Sequence, residues 1–211
     1  MKQAIYLIIV LVALDLPCRA QDELDCRTEL MFGLKAGVNN SKVYDTQGEG
    51  FQTRTKSGIA AGAFLTIPLN LLLGIQPELL FSQKGFIGIG KIPGSAYQLS
   101  RTTNYMDVPL FFALKPNRFI SLLAGPQFSC LWRQNDVFTN SITGAVQEQS
   151  VQNENPNKNS LGFSGGLDIN VEDAVFSLRV AWDVQSNNDE ATSSVPRYKN
   201  AWYQFTFGLR I

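Results

Sequence analysis

Residues 161 to 183 run Leu161-Gly162-Phe163-Ser164-Gly165-Gly166-Leu167-Asp168-Ile169-Asn170-Val171-Glu172-Asp173-Ala174-Val175-Phe176-Ser177-Leu178-Arg179-Val180-Ala181-Trp182-Asp183. Before Glu172-Asp173, large apolar residues fall on alternate positions at Leu161, Phe163, Leu167, Ile169 and Val171; after it they fall at Phe176, Leu178, Val180 and Trp182. Period two marks a strand whose two faces meet different surroundings. Glu172-Asp173 supplies a tight turn between two such strands. The opposite face is small or ionic, with Gly162, Ser164, Gly166, Asp168 and Asn170 on one strand and Ser177, Arg179, Ala181 and Asp183 on the next.

The same alternation extends in both directions. Leu30, Phe32, Leu34, Ala36 and Val38 alternate with Gly33, Lys35, Gly37 and Asn39, and Leu79 and Phe81 with Glu78, Leu80 and Ser82. Met106, Val108, Leu110 and Phe112 alternate with Asp107, Pro109 and Phe111, and Tyr203, Phe205, Phe207, Leu209 and Ile211 with Gln204, Thr206, Gly208 and Arg210. From Glu29 onward, eight such segments of 10 to 14 residues are joined by connections of 17, 3, 19, 3, 27, 2 and 16 residues. Short turns on one side and long excursions on the other are what a barrel in a bacterial outer membrane needs, since its two ends face different compartments. The expected fold is therefore all-β: an eight-stranded antiparallel up-and-down transmembrane barrel with short periplasmic turns and long extracellular loops.

Alternation does not say which face points outward, so a secreted lipocalin-like barrel around an apolar ligand is the rival. The non-apolar face carries few Lys or Glu and many small residues, which suits a narrow interior better than a water-facing exterior. Phe81, Phe128, Trp132, Trp182 and Tyr203 gather near strand ends on the apolar face, as interfacial girdles do. Pro77 and Pro126 within apolar rows remove ladder donors and fit neither alternative well.

The first 20 residues have the pattern of an export signal: Lys2, an apolar core from Ala4 to Leu14, and Cys18-Arg19-Ala20 before a cut, so the barrel domain is expected over 21–211. Lys plus Arg and Asp plus Glu balance at 18 each, so no basic field points to nucleic acid. Cys26 precedes the first strand and Cys130 lies late in the fifth, too far along the barrel for a disulfide.

The chain contains no histidine, which removes Ser-His and Cys-His nucleophile pairs and the commonest transition-metal ligand. No catalytic, cofactor or metal site is expected. Gly85-Phe86-Ile87-Gly88-Ile89-Gly90 lacks the strand-to-helix setting of a phosphate cradle and is taken as an outer loop. Asp183, Asp189 and Glu190 do not have EF-hand spacing. Gln134 to Ser160, rich in Asn, Gln, Ser and Thr, is expected to be a mobile outer loop.

An eight-stranded barrel has room inside for side chains and no more. Lys35, Glu78, Asp107, Asp168, Arg179 and Arg210 all point inward with nearly balanced charge. They are expected to form an ionic lumen network that plugs the tube, with a proton or ion path, and hence a narrow channel, as the alternative.

Several stretches carry a resemblance: Gly33-Leu34-Lys35-Ala36-Gly37-Val38-Asn39, Ile75-Gln76-Pro77-Glu78-Leu79-Leu80-Phe81-Ser82-Gln83-Lys84-Gly85, Tyr105-Met106-Asp107-Val108-Pro109-Leu110 and Ala124-Gly125-Pro126. With these the chain resembles the small outer-membrane β-barrel proteins of Bacteroidetes, the PorT-like family with an outer membrane protein β-barrel domain. The resemblance implies an eight-stranded outer-membrane barrel, and some members of that family are tied to protein secretion; taken with the residues above, a non-enzymatic barrel with a structural, surface-binding or secretion-accessory role is expected. Its expected partners are outer-membrane lipid, the barrel-insertion machinery and secretion-system proteins. Such barrels commonly end in an aromatic residue as an assembly signal, whereas this chain ends in Ile211, which shifts that recognition onto Phe205, Phe207 and Leu209.

Overall fold

The computed structural model describes residues 26–47, 52–92, 95–140, 146–152, 159–185 and 197–211; the export segment 1–20 lies outside them. A short 3-10 turn at Cys26–Thr28 leads into nine strands: β1 (Met31–Gln47), β2 (Gln52–Pro68), β3 (Leu73–Ile92), β4 (Ser95–Leu114), β5 (Ile120–Asn140), β6 (Val146–Gln152), β7 (Ser160–Val171), β8 (Ala174–Asp183) and β9 (Arg197–Arg210). All neighbours are antiparallel. Eight of the nine close into a ring, because β9 pairs with β1 and β4 pairs with β5. The ninth, β6, pairs with the far half of β5.

The short-turn end is fixed by side chains suited to reversing the chain. Asn70 Oδ1 accepts hydrogen bonds from the Leu72 and Leu73 amides at 2.8 Å each, and Asn117 Oδ1 accepts from Phe119 and Ile120 at 2.9 and 2.8 Å. Each carboxamide thus replaces a ladder partner that the turning backbone lacks. In the third turn Glu172 takes a φ of 51°, the left-handed conformation a two-residue hairpin loop demands.

Alternation decides which side chains face outward. Phe111 is 1 % exposed and its neighbour Phe112 is 65 % exposed. Leu34, Val38, Leu79, Leu122, Phe163, Leu178 and Phe205 all stand on the outer surface. The inner face holds Lys35, Asn39, Gln76, Glu78, Ser82, Lys84, Asp107, Asp168 and Arg179, together with Phe64, Leu80, Phe111 and Trp202. With the greasy rows outside and ion pairs within, the lipocalin-like alternative falls.

Glycine lets this small ring bend. A Cβ built on Gly37 would run into Phe205 O and lie 2.6 Å from Thr206 Cα of β9. Gly166 is equally closed off, by Leu178 O and by Arg179 Cα at 2.9 Å on β8. Backbones at these inward positions approach more closely than any side chain permits.

The strands run much further than the sequence pattern suggests. A membrane strand needs about 9–11 residues, yet β1 and β2 have 17 each, β3 and β4 have 20 each and β5 has 21. The 17- and 19-residue excursions are therefore mostly strand: β3 and β4 form a tall hairpin paired up to Ile92↔Ser95, whereas β1 and β2 pair with each other only up to Ser41↔Lys56, above which β1 runs with β9 and β2 with β3. Gly85–Gly90, taken as a loop, lies inside β3, with Phe86 buried. Gln134–Ser160 likewise contains the end of β5 and all of β6, paired from Arg133↔Gln152 to Thr139↔Val146. The reason is physical: beyond the hydrocarbon the outer face no longer has to be apolar, so period two loses its contrast while the backbone ladder continues.

Leu178 sits in the middle of the exposed apolar band, so Leu178→Arg is expected to cost about 2–4 kcal/mol of unfolding free energy in a bilayer. Urea titration in lipid vesicles measures this, and a neutral result would place that row outside the hydrocarbon.

Candidate functional site

The interior of the ring is the only concentration of ionic chemistry among the described membrane-level residues. Lys35 on β1 pairs with Glu78 on β3, and Arg179 on β8 bridges two carboxylates, at 3.5 Å to Glu78 Oε1 and 2.7 Å to Asp168 Oδ1. Gln76 donates to Glu78 Oε1 at 2.9 Å and to Asp168 Oδ2 at 3.2 Å, and Thr66 Oγ1 donates to Gln76 Oε1 at 3.1 Å. Arg179 also donates to the Leu167 and Leu178 carbonyls. Two positive and two negative charges, all almost completely buried, thus neutralise one another across four strands. The rings of Phe64 and Phe111 lie 5.6 and 5.0 Å from the Lys35 and Arg179 cations and wall off the pair.

A second cluster sits one level closer to the far end. Lys84 Nζ is 3.0 Å from Asp107 Oδ2 and 3.4 Å from Ser129 Oγ, 3.5 Å above the Trp202 ring and 4.7 Å from the Tyr105 ring. Beside it, Asn39 donates to Ser82 Oγ at 2.7 Å and accepts from Gln204 at 2.9 Å. Asp183 accepts from Ser160 and from the Asn200 side chain. Higher still, within the raised hairpins, Arg101 clasps Asp136 through two bonds of 2.8 and 2.7 Å. This fork-to-carboxylate geometry ties β4 to β5 outside the hydrocarbon.

Of the six residues singled out in the sequence, Lys35, Glu78, Asp168 and Arg179 come together. Asp107 does not join them; its partner is Lys84, on a separate level. Arg210 stands apart at the short-turn end and donates to Asn170 Oδ1. Lys84 carries the same parity, two residues beyond Ser82 on the inward face, which is the one sequence signal that marks it. Gln76, which joins the two carboxylates, shares that parity. Asp189 and Glu190 lie outside the described residues.

The arrangement can hold charge but offers little passage. At the short-turn end the tube narrows to a cavity of about 10 Å³ among Arg27, Thr66, Gln76, Lys115, Asn170 and Arg210, roughly the space of one water.

A ring of strands with lipid-compatible rows outside and neutralised charges inside defines an integral outer-membrane β-barrel protein. Residues 19–188 match the family described as "Outer membrane protein beta-barrel domain", and the chain belongs to that family. Among solved structures it is similar to Ail, the attachment invasion locus protein of Yersinia pestis, at 15% identity and a TM-score of 0.51, covering 87% of this chain and 100% of that one. The structure of Ail with the heparin analogue sucrose octasulfate aligns at 17% identity and a TM-score of 0.52, with the same coverage. At such identities the likeness is one of fold. No curated protein matches this chain in sequence.

Neutralising Glu78 strands two buried cations on one carboxylate. Glu78→Gln is expected to lower stability by about 3–5 kcal/mol, and Lys35→Met combined with it to recover most of that loss. Reversible urea unfolding in micelles, with Lys35→Met also measured alone, tests this; a double-variant loss equal to the sum of the two single losses would show that the pair is not coupled.

Proposed function

We propose that this protein is a non-enzymatic surface-binding barrel of the PorT-like Bacteroidetes branch, with a plugged tube and a working part raised above the membrane. The single observation that carries this reading is strand length. β1 to β5 continue for about twice the span a bilayer requires; above the membrane β2 to β5 stay hydrogen-bonded into one wall, and β1 continues with β9. Tyr97↔Asn140 pairs far above the Leu114↔Leu122 level, and Arg101–Asp136 fastens the wall there. A barrel that served only as a membrane anchor would have no use for so much ordered structure beyond it.

Support for the branch comes from the Gln76-Pro77-Glu78-Leu79 and Asp107-Val108-Pro109-Leu110 segments. Support for a non-enzymatic role comes from the absence of histidine in the chain and from the pairing of the lumen carboxylates with cations. The lumen charges serve as a structural plug, and the barrel-insertion machinery reads the outward Phe205 and Phe207 near the C-terminus. The role left for a partner falls to the raised wall, whether that partner is a host surface, a neighbouring cell or a secreted protein on its way out.

The decisive comparison uses a variant with the three raised hairpins cut back to short turns just beyond Ser41, Ser82 and Cys130. It is expected to insert, to keep heat-modifiable migration on gels, and to reproduce the surface and secreted proteome of a strain lacking the protein. Full complementation by this shortened barrel would refute the reading. In planar bilayers the intact protein is expected to give no discrete conductance steps, whereas stepwise openings would favour the narrow-channel alternative.

A further inference from the structure

The acids of β2 to β5 all turn inward. Among the described residues these strands carry only Glu78, Asp107 and Asp136, and each is buried within the tube. Above the membrane the outward positions of β4 alternate with buried Arg101 and Thr103; they are Ser100, Thr102 and Asn104, all half-buried. β2 adds exposed Arg54 and half-buried Lys56. The outer face of the raised wall is therefore polar and cationic, with no carboxylate of its own. Thr102 pairs with Asn135, three residues beyond the girdle residue Trp132, which at ~3.3 Å per residue sets this level about 10 Å above the girdle and outside the hydrocarbon.

Lys56 is held on that face by the local backbone. Between Thr55 and Ala60 the β2–β3 ladder shifts register. Buried Ser41 of β1 fills in on the inner side, where its Oγ accepts from Gly85 N at 2.8 Å. Gly85 stands outward between buried Lys84 and Phe86, and a Cβ added there would meet Lys56 Cδ at 3.2 Å. Glycine thus gives the lysine stem a path across β3. At the end of that path the ammonium donates to Ser100 Oγ at 2.8 Å and to Thr102 Oγ1 at 2.6 Å on β4. The interior cations Lys35, Lys84, Arg101 and Arg179 each have a carboxylate; Lys56 has two neutral hydroxyls, and no Asp or Glu among the described residues forms an ion pair with it. Partial burial accordingly pulls its pKa below the ordinary lysine range, opposed by the charge of Asp136.

We propose that Lys56, Ser100, Thr102 and Arg54 bind the phosphate group of a phosphorylated saccharide at the outer surface. A hydroxyl that accepts from the ammonium keeps its own O–H to donate, and the ammonium has a third N–H beyond the two it gives to Ser100 and Thr102. Three donors thus converge beside one positive charge. A phosphate dianion accepts several such bonds at once and finds in lysine a compact point charge. Arg54 lies in the same row as Ser100, through Ile87, and adds a second cation at the edge of the site. Outward Gln98, Asn104 and Asn135 surround it with amides suited to sugar hydroxyls. The inference rests on the raised wall being the working part of the protein and names the chemistry that one of its faces takes.

The test follows the phosphorus NMR shift of glucose 1-phosphate titrated with the intact barrel in neutral polyoxyethylene micelles, heat-modifiable migration showing which variants are folded. Lys56→Gln is expected to weaken binding about tenfold and Ser100→Ala with Thr102→Ala severalfold, whereas Arg118→Gln, which removes an exposed cation at the short-turn end, leaves it unchanged. Affinity falls as pH rises through the lowered Lys56 pKa, where the amine loses its charge, and falls again below about pH 6, where the phosphate takes up a second proton. A parallel titration with a phosphorylated glycolipid in the micelles identifies the source. Binding of both probes means that the site reads the sugar phosphate itself; binding of the glycolipid alone means that it reads the phosphate on a lipid head group. Failure of both probes, or binding by folded Lys56→Gln as tight as by wild type, would overturn the site. The hairpin-trimming comparison does not depend on this result, so the site can fail while the raised wall keeps its role.

Discussion

Hydrocarbon offers no partner to a backbone N–H or C=O, and each unpaired group there costs several kcal/mol. That shortage forces β9 back onto β1, through a register that runs from Gly33↔Arg210 to Gln47↔Arg197. With eight strands the ring then has an interior too narrow for bulk water. The charges at the centre of the tube consequently meet opposites from other strands. Lys35 finds Glu78, Arg179 finds Asp168 and Glu78, and Lys84 finds Asp107. The plug is thus a consequence of closure, and the outer apolar rows are its counterpart on the other face of the same strands.

Sequence alone reveals the ring because membrane-level strands carry two opposed demands. Leu161–Val171 and Ala174–Asp183 show both an apolar and a small or ionic row, and their tight turn falls where it should. The same logic marks Lys35, Glu78, Asp168 and Arg179 as inward. What it does not supply is their level along the axis. Asp107 and Asp168 look alike as inward acids, but register puts Asp107 beside Ser129 and Asp168 opposite Ser121. They fall on different levels and take different cations.

The raised wall was hidden for a related reason. Thr53, Thr55, Thr102 and Thr103 are good strand formers, but both faces of those segments are polar, so alternation in hydropathy disappears. Lys84 and Arg101 lie in that zone, and their partners could be named only from coordinates.

β5 exchanges partners along its length: β7 accompanies it up to Ser129↔Ser160, and β6 accompanies it from Arg133↔Gln152 upward. β8 stops at Asp183, while β1 through β5 climb well beyond that level. Among the described residues the ladder therefore reaches higher over β1 to β5 than over β7 and β8. The tall β3–β4 hairpin and the far half of β5 with β6 thus form a rigid screen on one side of the barrel axis, so what a neighbour drifting in the membrane plane meets depends on how this barrel is rotated about that axis.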